Sequence, residues 1–148
     1  MPWIVIVLLF AGCVSKPSYF VAPPLCKATR IEDIGVIVTF PPYLIDDRLP
    51  LKEGERMGYL SRRFCCDLEE FISRCLVQKM GGCLYPLGCE SEPKRVEKIA
   101  IEELYYDKKR DAIFLQAVIG GKERKIVKNV TNNPYLTALE AVQELLKR

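Results

Sequence analysis

Histidine is absent from this 148-residue chain, and with it go the commonest general base and the commonest zinc ligand. Any catalytic triad or dyad that relies on imidazole is excluded. Paired C-x-x-C spacing is also missing among the seven cysteines, so no ligand pattern for structural zinc remains. No glycine-rich phosphate loop occurs. Charge of one sign is not in excess either: 22 lysines and arginines against 19 acids give a net +3. The two signs are interspersed, which argues against a nucleic-acid surface. After the N-terminal stretch no apolar run is long enough to cross a bilayer, which needs about 20 residues. These absences point to a binding chain with no cofactor and no catalytic role.

The N-terminal stretch itself reads IVIVLLFAGCVSKPS, from Ile4 to Ser18. From Trp3 to Gly12 there is no charge, no turn signal and no alternation, so a half-buried strand is not indicated. A short apolar region ending in small residues is the pattern of a secretory signal. Phe10-Ala11-Gly12-Cys13 resembles the bacterial lipobox, in which the cysteine thiol is acylated and becomes the new N-terminus. That resemblance assigns residues 1–12 to a lipoprotein signal peptide and Cys13 to the lipid anchor. Residues 13–30, proline-rich and aperiodic, form a lipidated tether, and residues 31–148 form one α/β domain.

Within that domain Ile34 to Phe40 is a β-branched run stopped by Pro41-Pro42, a predicted strand. The loop that follows carries Tyr43, Leu44 and Ile45. A rigid apolar loop either folds back on the core or is offered to a partner. The expectation adopted is that Tyr43, Leu44 and Ile45 bind a partner, since prolines fix the loop in advance and lower the ordering entropy.

From about Gly58 the period turns helical: Leu60, Phe64, Leu68, Phe71 and Cys75 share one face, ended by Gly81-Gly82. On that helix Cys65 and Cys66 are adjacent and are expected in the core. Cys83 and Cys89 flank the turn-prone Tyr85-Pro86-Leu87-Gly88 and form the local disulfide to test first. A short strand over Cys83 to Leu87 precedes three more, Val96–Tyr106, Ala112–Ile119 and Arg124–Val130. Gly120-Gly121 supplies a tight hairpin turn. Asn133 and Pro134 start a last helix as cap and first residue, with Leu136, Leu139, Val142, Leu145 and Leu146 as its stripe. Lys147 and Arg148 fall at its negative end. Two amphipathic helices need one sheet face to cover. The expected architecture is a two-layer α/β sandwich, a mixed sheet of about four to five strands with both helices on one face.

This order of elements resembles the ABC-type transport auxiliary lipoprotein component family, which accompanies MCE-type lipid transport systems such as the paraquat-inducible one. The likeness runs through Ser18-Tyr19-Phe20-Val21, then Ile34-Gly35-Val36 to Phe40-Pro41-Pro42-Tyr43-Leu44. Gly58-Tyr59 to Arg63-Phe64, with Leu68-Glu69 and Ile72, continues it. The resemblance implies a non-catalytic lipoprotein on the periplasmic face of the outer membrane. Its implied partner is the MCE protein of the ABC system, its membrane contact is the N-terminal lipid, and nucleic acid is not involved. Two other readings stay open: an assembly lipoprotein supporting another outer-membrane complex, and a periplasmic thiol oxidoreductase using Cys65 or Cys66.

Overall fold

The computed structural model describes Tyr19, Phe20 and residues 33–147. Cys13, expected to carry the lipid, and Cys26 lie outside the described residues. The elements run β1 (Tyr19–Phe20), β2 (Ile34–Thr39), β3 (Pro50–Glu53), β4 (Arg56–Tyr59), β5 (Arg63–Phe64) and α1 (Leu68–Met80). Then come β6 (Cys83–Leu84), β7 (Arg95–Asp107), β8 (Ala112–Ile119), β9 (Lys122–Asn129) and α2 (Pro134–Glu144). Seven strands form one mixed sheet, and β1 pairs separately with β5. With two helices packed on that sheet, the fold is a two-layer α/β sandwich. The sheet is wider than expected because the Pro50–Gly58 region, read as loop, folds with Tyr59 into the β3–β4 hairpin around Gly54.

β7 is the hub. Its first half pairs in parallel with β2, and its last two residues pair in parallel with β3. Its opposite edge takes β8 antiparallel, and β8 takes β9. Ile99 and Ile101 are buried, the register then slips before Glu103, and the next buried residue is Leu104. An extra residue shifts side-chain parity by one. The bulge therefore keeps all three on the core face.

The first helix starts ten residues later than its apolar spacing suggested. Leu60, Phe64 and Leu68 mimic a helical stripe, but β4 is held in the hairpin with β3 and β5 is paired to β1. Asp67 sets the true start, its carboxylate accepting from the Glu70 amide at 3.0 Å. Leu60 and Phe64 still reach the core. Phe64 is fully buried, its ring 5.1 Å from Phe71 and 5.4 Å from Tyr135. Gly81 closes the helix with φ at 74°, and a side chain on Gly82 would meet the Ile34 carbonyl at 2.5 Å.

At α2 Asn133 caps and Pro134 occupies the first turn, as the sequence indicates. Its buried face comprises Tyr135, Ala138, Leu139, Ala141 and Val142, while Leu136 and Leu146 are only half-buried. The terminal carbonyls of Leu145 and Lys147 are taken by the Arg124 guanidinium from β9. A cation does sit at the negative helix end, but it comes from the sheet.

Candidate functional site

β2 and β3 lie along the same edge of β7 and leave a gap between them, because the pairing of β2 with β7 ends at Ala100 of β7 and that of β3 begins at Tyr106. A strand edge facing such a gap has amides without ladder partners, which are costly when buried. The residues 40–49 loop fills the gap. The Tyr43 hydroxyl accepts from the Leu104 amide at 3.0 Å, and Leu44 is buried at 1% exposure in the main core. Tyr43 is fastened a second time, its carbonyl accepting from the Tyr59 hydroxyl at 2.6 Å.

The expectation that Tyr43, Leu44 and Ile45 all face a partner is therefore corrected. Leu44 belongs to the core, because the gap beside β7 offers its side chain an apolar seat. Tyr43 is half-buried and braces the sheet edge. Its hydroxyl is pushed above the usual tyrosine range by burial first. Only Ile45, 48% exposed, presents a large apolar side chain to solvent.

The rest of the loop is committed to its own support. Asp46 takes a left-handed conformation (φ 53°), which Asp tolerates better than most residues. That turn aims the Asp46 carbonyl at the Leu68 amide (2.9 Å) and the Asp47 carbonyl at the Phe64 amide (2.6 Å). Leu49 exchanges with the far side through its carbonyl, which accepts from Leu60, and through its amide, which donates to the Tyr135 hydroxyl at 3.1 Å. Tyr135 in turn donates to the Arg62 carbonyl at 2.5 Å. One buried hydroxyl on α2 thus ties the loop to the segment before α1. Burial raises its pKa above the usual value.

Beside the braced loop lies an open cavity of about 450 Å³. The loop contributes Ile45, Asp46, Asp47 and Arg48. β4 and β5 contribute Tyr59 and Arg63, and the approach to α1 contributes Cys66 and Asp67. Arg48 is positioned twice, donating through Nε to the Leu60 carbonyl at 2.8 Å and lying 5.9 Å from the Tyr59 ring centroid. The cavity therefore joins an apolar rim to two guanidinium groups and three carboxylates. It suits recognition of a polar surface with one apolar anchor.

The sequence singled out Ile45 here but missed Arg48, Tyr59, Arg63 and Tyr135. Tyr135 had a usable signal, since it falls at i, i+4 and i+7 with the buried Leu139 and Val142.

The cysteines separate into two kinds. Cys83 and Cys89 are joined by a disulfide, with Cα atoms 5.1 Å apart, closing a loop whose tip is the 98% exposed Leu87. Cys75 on α1 is disulfide-bonded as well. Cys65 and Cys66, expected in the core, are exposed free thiols, because the helix that would have buried them begins after them. Among the described residues no helix is long and apolar enough to cross a membrane, and no group of three or more potential metal ligands occurs.

The class these observations define is a two-layer α/β sandwich with a braced loop and a mixed-charge cavity at one end. A solved structure described only as an uncharacterized protein aligns with 85% of this chain and 90% of its own. The TM-score is 0.55 at 10% identity, which shows a shared fold. A second, a Xanthomonas campestris protein of family DUF330, aligns with 86% of this chain and 84% of its own, at TM-score 0.48 and 6% identity. No family model and no curated protein matches the chain.

Proposed function

We propose that the chain is a non-catalytic, periplasm-facing lipoprotein that binds an MCE-type ABC lipid transport system and docks it at the outer membrane. Cys13 would carry the lipid, and the MCE protein would engage the loop-and-cavity end of the domain. The observation that carries this reading is the rigid presentation of Ile45. Its loop is locked by the Tyr43, Asp46, Asp47 and Leu49 hydrogen bonds, yet its one large exposed apolar side chain points to solvent beside Arg48 and Arg63. A preorganised apolar residue ringed by polar groups loses little entropy on binding, and such anchors carry most of an interface's energy. The lipobox-like FAGC and the order of motifs from Ser18 to Ile72 support the assignment to this class of partner.

Two experiments test the reading together. Cys13→Ala should move the protein from the outer-membrane fraction to the soluble periplasmic fraction. Wild-type protein purified gently from membranes should bring the MCE protein with it. A Cys13→Ala chain that still sediments with membranes, or a wild-type chain that recovers only a different envelope complex, contradicts the proposal.

A further inference from the structure

Cys65 and Cys66 are surface thiols whose sulfurs stand 2.9 Å apart. Closing that gap to the about 2.05 Å of a disulfide requires less than about 1 Å of movement. We propose that this pair is a thiol–disulfide exchange site for small zwitterionic disulfides such as cystine or glutathione disulfide, with one cysteine attacking and its neighbour resolving. This goes beyond the docking role and does not depend on it.

Three features support the assignment. Cys66 lines the cavity that also holds Arg48 and Arg63 together with Asp46 and Asp47. A zwitterionic ligand carries both carboxylate and ammonium groups, and the cavity offers a counter-charge for each. The second feature is proximity: the two sulfurs are 2.9 Å apart, so the thiol left after the first exchange lies beside the mixed disulfide it must attack. The third feature is accessibility: both thiols are exposed and free, whereas Cys83–Cys89 is already closed in the same molecule.

The exchange balances as follows. The thiolate of one cysteine attacks one sulfur of the small disulfide R–S–S–R, whose S–S bond breaks, and the first RS⁻ takes up the proton that cysteine released. The thiolate of its neighbour then attacks the Sγ of the mixed disulfide and displaces the second RS⁻, which takes the neighbour's proton. The small disulfide is reduced to two thiols by two electrons, and the pair is oxidised to a disulfide.

The test uses the full-length chain, without its partner, incubated with glutathione disulfide. Products are read by intact mass and by peptide mapping after alkylation. Wild type should lose two hydrogens, mapped to Cys65–Cys66, without accumulating a glutathione adduct. Cys66→Ser should stop as a stable adduct on Cys65, and Cys65→Ser as a stable adduct on Cys66. Arg63→Ser should slow the reaction with glutathione disulfide several-fold while leaving that with the uncharged bis(2-hydroxyethyl) disulfide unchanged. A wild-type chain that stops at a mixed disulfide, or does not react, overturns the exchange site. Equal slowing with both disulfides by Arg63→Ser overturns the zwitterionic substrate class.

Discussion

The loop between β2 and β3 and the loop after β6 both combine proline with large apolar side chains, yet they are fixed by different physics. The first is held without a covalent link. Leu44 and Leu49 are fully buried; backbone groups of Asp46, Asp47 and Leu49 bond to Leu68, Phe64 and Tyr135, and the Tyr43 hydroxyl bonds to the Leu104 amide. The second is stapled by Cys83–Cys89, and its Leu87 projects almost entirely into solvent. Rigidity at the first loop is thus a property of the core, while at the second it is local. In the first, the exposed Ile45 lines the charged cavity beside Arg48 and Arg63.

The comparison implies a ranking of substitutions. Leu44→Ala should be the most damaging, destabilising by about 3 kcal/mol through the cavity left in the core. Urea unfolding at constant m-value would measure it, and a loss below about 1 kcal/mol would show that the loop is not part of the core. Replacing both Cys83 and Cys89 by serine should destabilise by about 2.5 kcal/mol, the loop-entropy figure for so short a ring. Hydrogen exchange should show the loosening confined to residues 83–89, and spread to the 40–49 loop would break the comparison.

Tyr135→Phe should follow at about 1.5 kcal/mol, since it leaves the Leu49 amide and the Arg62 carbonyl without their shared partner. It also carries a pH signature. Burial raises the Tyr135 pKa above its unfolded value of about 10. Its contribution is therefore complete below pH 10 and is lost as pH rises through the folded value. Tyr135→Phe should show a shallower alkaline loss of thermal stability than wild type, and parallel curves would contradict the assignment. Leu87→Ser should change stability by no more than about 0.5 kcal/mol.

Much of this contrast could be read from residue order. Pro41-Pro42 ends β2, Gly120-Gly121 turns β8 into β9, and Asn133-Pro134 opens α2, all through local rules that need no tertiary context. The first helix could not be placed so well. Leu60 and Phe64 fall in helical register with Leu68 because all three reach one core from different elements, and spacing does not distinguish these cases. The same error carried Cys65 and Cys66 into the core. The site was half legible for a related reason. Ile45 stood out as an apolar loop residue, but Leu44 looked the same, and only the gap along β7 separates them. Arg48, Tyr59 and Arg63 come together through the β3–β4 hairpin, whose pairing with β7 spans more than fifty residues of sequence.

The most direct test of the proposed docking is the Kd of the MCE-type protein proposed as partner, measured for three forms of the delipidated domain. Wild type, Ile45→Asp and Leu87→Asp should all keep the same melting temperature. Ile45→Asp should raise the Kd by about tenfold or more, while Leu87→Asp should leave it within about twofold. An unchanged Kd for Ile45→Asp, or equal weakening by both substitutions, would contradict docking through the braced loop.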